Sequence, residues 1–231
     1  RADAGILLGG PAKVIVMPTN NTGIVVGYLA GRYPQKVGHL FSPEGLRETH
    51  DWLPFALDNG KFACWSNEKE WDEQGYREML EIVASRSQQP LWALVPDEVA
   101  NAPETLRLWK VWLPVLKGYG WKVAFAVQDG MTKDDVPSDA DVVFVGGSTE
   151  WKWKTVHRWC DDFPRVHVGR VNTNGKLWEC HESGAESCDG TGWFRGCKRQ
   201  LNGLFRYLER SSQGLTNERG PKLWESRKTV T

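Results

Sequence analysis

Short apolar runs rich in β-branched residues recur along this chain and limit what it can fold into. They lie at residues 13–17, 23–28, 37–41, 55–57, 91–95, 122–127, 141–145 and 165–168. Runs of this length and composition predict buried β-strands. Segments with apolar residues at helical spacing, at 71–85, 102–117, 149–161 and 202–211, separate or follow the later runs. This alternation predicts an α/β protein with a parallel sheet.

Two parallel architectures fit this alternation, a closed (β/α)8 barrel and an open doubly wound sheet. The early GxGxxG turn of a dinucleotide-binding sheet is absent from the sequence, which favours a compact TIM-like barrel. We expect residues 1–210 to form this single domain and the polar segment 211–231 to be a loosely held C-terminal extension. Frequent Gly, Pro and Asn residues in the first third predict a hairpin or meander there.

Charge and tryptophan content bear on the partner. The 29 Lys and Arg residues balance 29 Asp and Glu residues, so any affinity for nucleic acid must come from a local basic surface. Several of the 13 tryptophans adjoin Lys or Arg, as in the segment WKWK. Such residues can stack on bases, or they can pack between the barrel and its outer helices under basic side chains.

The chain shows no features of a membrane or secreted protein. It has no apolar run of the roughly 20 residues that a membrane-spanning helix needs, and its first residues lack the apolar core of a signal peptide. Its five cysteines are odd in number and form no CxxC pair. We therefore expect a soluble, cytoplasmic protein.

Polar residues follow the predicted strands repeatedly, at the positions where a barrel carries its catalytic groups. Each residue alone is also a common turn signal, but their joint placement predicts a site at one end of the barrel. These residues are Asp58, Asp97, Gln128, Gly146, Gly147, Arg170, Asn172 and Asp189.

Three separated carboxylates on one face suit chemistry at a glycosidic carbon. One carboxylate can attack an oxocarbenium-like carbon, and a second can move a proton on the leaving or incoming base. A third, such as Asp97, can accept hydrogen bonds from the ring N–H and amino group of a purine, while backbone N–H groups of Gly146 and Gly147 approach a carbonyl oxygen.

The segments LDNGKF, VPDEV, AVQDG, FVGGS, HVGRVNT and SCDGTG occur in this order between residues 57 and 195. In order and spacing they resemble the tRNA-guanine transglycosylase superfamily. The resemblance is greatest to its shorter phage and bacterial members, which place 7-deazaguanine bases in DNA.

The resemblance implies a role for each matched residue. Asp189 would be the nucleophile that attacks C1′, and Asp58 the second catalytic aspartate that handles the proton on the base. The reaction would be a double displacement with retention, passing through a covalent glycosyl-aspartate. The substrate-binding residues would be Asp97, Gln128, Gly146, Gly147, Arg170 and Asn172.

The tRNA enzymes of this superfamily carry a structural zinc site with a CxCxxC motif, and this sequence has no such motif. We therefore expect no metal and no cofactor, although Cys180, His181, Cys188 and Cys197 leave a loosely spaced alternative. The missing motif also favours DNA over tRNA as the substrate polymer, and the resemblance allows a homodimer. The residues expected to contact nucleic acid are Lys152, Lys154, Trp193 and Arg195.

Two other functions remain open at the level of sequence. A base-excising glycosylase would use the same carboxylates but would resolve the intermediate with water. A nucleobase-binding barrel without turnover is the non-enzymatic alternative, and the presence of both Asp58 and Asp189 weighs against it.

Overall fold

A computed structural model describes residues 14–217 and contains eight parallel strands. The strands are β1 Ile15–Pro18, β2 His39–Phe41, β3 Phe55–Leu57, β4 Ala93–Leu94, β5 Val123–Val127, β6 Val142–Val145, β7 Val166–Val168 and β8 Ser187–Gly190. They pair in the order β1-β8-β7-β6-β5-β4-β3-β2. Two isolated parallel bridges, Val16 with Val37 and Thr19 with Leu40, join the segments that contain β1 and β2 and close the sheet into a barrel. The (β/α)8 prediction is therefore confirmed.

Seven α-helices surround or flank this barrel within the described residues. The short connection between β2 and β3 holds only a 3-10 turn at Pro43–Gly45, which explains how the chain remains near the lower size limit of such barrels. The helices are α1 Ile24–Arg32, α2 Lys61–Ser66, α3 Glu73–Ala84, α4 Ala102–Gly118, α5 Thr149–Asp162, α6 Asn174–Ser183 and α7 Lys198–Ser212.

The first third of the chain differs from its prediction. The sequence predicts a strand at residues 23–28 in a hairpin or meander, but α1 begins at Ile24 and β1 and β2 are parallel. Val26, Leu29 and Ala30 are buried on one face of α1. Burial of this stripe outweighs the β-propensity of the Ile-Val-Val run, because propensity is a weak local preference.

The barrel interior alternates large and small side chains. Trp92 fills its centre, with its ring centroid 4.8 Å from that of His167 and 6.0 Å from that of Phe144. Alanines at positions 124 and 126 belong to the same interior cluster and leave the space that the indole occupies. The interior is therefore a packed core beneath the mouth of the barrel.

Most of the buried tryptophans pack between the sheet and the helices, which is the second of the two roles that the sequence allows for them. Trp109, Trp112, Trp159 and Trp178 all lie in the cluster that joins the outer face of the strands to the helices. Within the described residues, no helix combines the length and the apolarity that crossing a membrane requires.

The predicted boundary of the C-terminal extension falls inside α7. This helix continues to Ser212, and Ser211 is buried and accepts a hydrogen bond from Lys36 at 3.2 Å. The rest of the predicted extension, from residue 218, lies outside the described residues.

Replacing Trp112 with Ala should lower the free energy of unfolding by about 3–5 kcal/mol, because the buried indole packs edge-on against Trp71 and contacts Tyr76. Urea denaturation followed by circular dichroism measures this change. Val111, the preceding residue of α4, is half exposed, so Val111→Ala is the control and should change stability by less than about 0.5 kcal/mol. Equal effects of the two substitutions would contradict the packing described here.

Candidate active site

A cavity of about 340 Å³ opens at the carboxyl ends of the strands. Its volume lies within the range usual for small-molecule sites. Every residue predicted to act in catalysis or base recognition lines it, and those residues come from six consecutive strand ends, β3 to β8. The structure therefore brings these residues together at one end of the barrel, and their chemical roles remain predictions.

Asp189, the third residue of β8, lies at the floor of this cavity. Its Oδ1 accepts hydrogen bonds from the backbone N–H of Arg170 and from His167, each at 3.1 Å. Its Oδ2 accepts one from the Thr19 hydroxyl, also at 3.1 Å. Oδ1 therefore has two donors and Oδ2 one, which leaves Oδ2 a lone pair for a substrate atom.

His167 is a buried partner of Asp189 that the sequence did not identify as functional. Its Nδ1 lies 2.8 Å from the Ser187 hydroxyl, and its ring is enclosed by Trp92 and Phe144. Because an ionised carboxylate only accepts hydrogen bonds, Nε2 carries the hydrogen that is shared with Asp189. The imidazole thus holds the carboxylate in a fixed orientation.

These donors also determine the charge of Asp189. Burial by itself raises the pKa of this carboxyl, but the hydrogen bond and charge interaction with His167, together with the N–H of Arg170, bring the pKa below its ordinary value. Asp189 is consequently an anion at neutral pH although it is almost fully buried.

Asp58 follows β3 and faces the same cavity under the opposite electrostatic influence. Burial raises its pKa to about 7, and repulsion from Asp189 and Asp97 adds to the shift. The backbone N–H groups of Gly60 and Asn59 offset only part of it. Asp58 can therefore hold or release a proton near neutral pH, as a general acid or base must.

Asp97 follows β4 and is held by two side-chain amides. Asn59 Nδ2 donates to Oδ1 at 2.8 Å, and Gln128 Nε2 donates to Oδ2 at 2.7 Å. Burial raises the pKa of Asp97, and these two hydrogen bonds reduce the shift. The carboxylate is thereby fixed at the wall of the cavity with lone pairs left for a ligand.

Gln128 is committed largely to protein contacts. Besides its bond to Asp97, its Oε1 accepts the backbone N–H of Ala100 at 3.0 Å. Only one N–H of its amide remains for a base, so its first function in this structure is to position Asp97.

The two glycines after β6 differ in what they can offer. The N–H of Gly146 donates to the carbonyl of Val127 at 3.2 Å, so it is not available to a ligand. Gly147 has φ +63°, a conformation that favours glycine, and a Cβ there would collide with Asp129 and Trp151. Its N–H has no hydrogen-bond partner among residues 14–217 and lies at the cavity, so Gly147 alone keeps the predicted donor.

Arg170 and Asn172 organise the loop that follows β7. The guanidinium of Arg170 donates to the carbonyl of Gly147 and stacks over the ring of Phe62 at 4.2 Å. Asn172 Oδ1 accepts the N–H of Gly192 at 2.8 Å, which ties this loop to the one after β8. Both residues line the cavity as predicted.

Of the residues expected to contact nucleic acid, Lys152 and Trp193 are buried, so this prediction is wrong for them. The ammonium of Lys152 donates to the carbonyl of Gly169, and burial lowers the pKa of this amine to about 7. Trp193 lies in the 3-10 turn Gly192–Phe194 that follows β8 and is itself buried. A buried side chain cannot reach a phosphate or stack on a base without a rearrangement of the fold.

The other two residues expected to contact nucleic acid do face solvent. Lys154 is exposed and pairs with Glu150 at 2.5 Å. Arg195 is exposed at the edge of the cavity. Arg195 is therefore the better placed of the two for a contact near the reacting nucleotide.

The cysteines do not assemble a metal centre in the described part of the chain. No group of three His, Cys, Asp or Glu side chains there could hold a metal ion. Cys197 is exposed, whereas Cys180 and Cys188 are buried, and His181 lies 3.2 Å from the hydroxyl of Tyr207.

Three residues of the site were not identified from the sequence, namely Thr19, Asn59 and His167. Thr19 lies in a segment whose composition predicts a hairpin, so its sequence does not indicate a strand end of the barrel. His167 carries a signal, since a polar residue at an inward position of an otherwise apolar strand is uncommon. The sequence around Asn59 predicts a turn, and its bonds to Asp97 and to the carbonyl of Val95 appear only in the fold.

Comparison with known proteins informs the fold alone. No family model and no curated protein matches this sequence. A solved structure with a similar fold is the BexX/CysO complex of Amycolatopsis orientalis, whose matching chain is 12% identical, with a TM-score of 0.51. The match covers 91% of this chain and 95% of that one. At this identity the likeness supports the α/β barrel and carries no information on activity.

Asp58→Asn should stabilise the protein at alkaline pH. The pKa of Asp58 is about 7 in the folded state, above the ordinary value of about 3.9. Between these values the folded state binds more protons than the unfolded state, so the free energy of unfolding falls as pH rises. Asn resembles the neutral acid and avoids this loss, so we expect a gain near pH 8 and little change near pH 4.

Urea denaturation at the two pH values measures this effect. The matched control is Asp161→Asn, an exposed position on α5, which should show no such dependence. A variant Asp58→Asn that is less stable than the wild type near pH 8 would contradict the electrostatic account of the site.

Proposed function

We propose that this protein is a DNA-guanine transglycosylase that exchanges guanine for a 7-deazaguanine base. The observation that carries the proposal is the pairing of an ionised Asp189 with a protonatable Asp58 in one cavity. A nucleophile and a proton donor with separated pKa values are what a double displacement at a glycosidic carbon needs. The resemblance of the motifs supplies the substrate class.

In the first half of the proposed reaction, Asp189 Oδ2 attacks C1′ of the target nucleotide. The C1′–N9 bond breaks and the electron pair leaves with guanine, which takes the proton of neutral Asp58. A covalent glycosyl-aspartate remains, and Asp58 is now an anion. The donors on Asp189 Oδ1 keep the attacking oxygen oriented throughout.

In the second half, the incoming 7-deazaguanine gives its N9 proton to Asp58 and attacks C1′. The bond from C1′ to Asp189 breaks, which restores both carboxyl groups to their initial states. Two inversions give retention of configuration. In both halves, Asp97 would accept from the ring N–H and amino group of the base, and the N–H of Gly147 would donate to its carbonyl oxygen.

DNA is the proposed polymer, on the motif resemblance and on the absence of the zinc motif of the tRNA enzymes. The cytoplasm is the proposed location, where DNA and a free deazaguanine base would both be present. To place a base in the cavity, the enzyme must take the nucleotide out of a duplex or bind it single-stranded.

Asp189→Asn should abolish exchange without unfolding the protein, because Asn keeps the shape but lacks the nucleophilic oxygen anion. The protein is incubated with duplex DNA, single-stranded DNA or unmodified tRNA and a radiolabelled 7-deazaguanine base, and digested nucleosides are then analysed. We expect label in DNA with the wild type and with the surface control Asp161→Asn, and none with Asp189→Asn.

Other outcomes of this experiment would replace the proposal. Label in tRNA would change the polymer and keep the mechanism. Release of free guanine without incorporation would identify a glycosylase. Base binding without any reaction, unaffected by Asp189→Asn, would identify a nucleobase-binding barrel.

The pH dependence should differ between the two substrates, because Asp58 acts as an acid in one half-reaction and as a base in the other. For the polynucleotide, kcat/KM should fall above about pH 7, where Asp58 of the free enzyme loses its proton. For the incoming base, kcat/KM should rise with pH, and the midpoint of this rise should lie below pH 7. In the covalent intermediate, esterified Asp189 carries no charge and no longer repels the Asp58 anion.

Initial-rate kinetics with each substrate varied in turn separate these two profiles. Residual exchange by Asp58→Asn should lack both transitions. Profiles that move in the same direction for both substrates would contradict the proposed double role of Asp58.

A further inference from the structure

A second cavity, of about 470 Å³, lies between the first turn of α6 and the first three turns of α7. Gly203 of α7 allows the two helices to approach closely here, since a Cβ at this position would lie only 3.0 Å from the Cβ of Asn174. Arg199 and Arg206 line this cavity, and its described lining includes no carboxylate. We refer to it as the basic groove.

The arginines of the basic groove are available to a ligand. Both are exposed, and neither forms an ion pair within residues 14–217. Two other exposed arginines, Arg77 and Arg107, are each paired with a glutamate on the same helix. Because the net charge of the chain is zero, the two groove arginines, which have no ion pair within residues 14–217, are a local cationic feature and not part of a generally basic surface.

The catalytic cavity has the opposite charge. Its lining includes four carboxylate residues, Glu44, Asp58, Asp97 and Asp189, against Arg170 and Arg195. A nucleotide that places its base and sugar in this cavity would meet repulsion at its phosphates. We therefore expect the adjoining phosphates outside it, on a cationic surface beside its mouth.

The basic groove is next to the catalytic cavity along the chain. Asn172 lines the catalytic cavity and Thr173 lines the basic groove, and consecutive Cα atoms are about 3.8 Å apart. The groove also includes the N-terminal turn of α6, where the helix dipole favours an anion. The two cavities therefore adjoin at residues 172 and 173.

We propose that the basic groove binds a backbone phosphodiester of the polynucleotide whose target nucleotide occupies the catalytic cavity. Arg199 and Arg206 would each contact a phosphate oxygen, and the first turn of α6 would favour the same charge. The inference rests on the proposed function in so far as the ligand is a polynucleotide. It assigns the groove to positioning the polymer, not to reading its sequence.

The test is fluorescence anisotropy with a labelled single-stranded DNA oligonucleotide, which requires no turnover. The variant Arg199→Ala/Arg206→Ala should bind about tenfold more weakly than the wild type in about 0.1 M salt. The slope of log affinity against log salt should become shallower by about 0.7, since the contact with one phosphodiester charge is lost. Arg199→Lys/Arg206→Lys should recover part of the affinity because it keeps the charge.

The matched control is Lys110→Ala/Arg158→Ala, which removes two exposed cationic residues from α4 and α5, outside the groove. This control should bind like the wild type. Equal affinity of the two alanine double variants, or no binding by the wild type, would overturn the proposal. Displacement of the oligonucleotide by millimolar inorganic phosphate at constant ionic strength would assign the groove to a free phosphate and would overturn it as well.

This test separates the groove from the proposed reaction. If exchange occurs, Arg199→Ala/Arg206→Ala should raise KM for DNA with little change in kcat. A wild type that binds the oligonucleotide through the groove but incorporates no label would leave the groove assignment intact and reject the transglycosylase proposal. If the wild type exchanges bases and Arg199→Ala/Arg206→Ala binds the oligonucleotide equally well, the transglycosylase proposal stands and the groove assignment is rejected.

Discussion

The crowding of three aspartates at the mouth of the barrel is the constraint on which the site depends. Buried carboxylates repel one another and lose hydration, so each needs hydrogen-bond donors or must take up a proton. Asp189 accepts hydrogen bonds from three donors and stays ionised. Asp97 accepts hydrogen bonds from two side-chain amides. Asp58 has the weakest compensation, and its pKa rises to about 7. The division between a nucleophile and a proton carrier therefore follows from how the donors are distributed.

The barrel supplies these donors through strand pairing. β8 lies between β7 and β1, which brings His167 and Thr19 to opposite oxygens of Asp189. The aromatic packing of Trp92 and Phe144 around His167 excludes water from that side, so the hydrogen bond to the carboxylate does not compete with solvent. Beneath the loop that follows β7, the buried ammonium of Lys152 donates to the carbonyl of Gly169. The same peptide group carries the backbone N–H of Arg170, which donates to Asp189. The packed core thus extends directly into the site.

The same distribution of charge separates chemistry from polymer binding in the proposed function. An acidic cavity suits a purine with its N–H donors, and an adjacent arginine groove suits the phosphodiester chain. A protein of zero net charge can combine both properties because each is local. Affinity for the polymer would then depend on salt, while base recognition by Asp97 would depend little on it.

The sequence by itself determined the class of fold, the strand at 55–57 and the set of polar residues at the strand ends, because burial period and turn residues are local signals. It failed at residues 23–28, where tertiary burial overrode β-propensity, and it missed β8, whose Ser-Cys-Asp-Gly run lacks β-branched residues. Only the tertiary structure decided the three partners of Asp189, which lie 19, 22 and 170 positions away in the chain. It also decided that Lys152 and Trp193 are buried. Contacts of that range form only when distant strands become neighbours in the closed sheet, and that arrangement depends on the packing of the whole barrel.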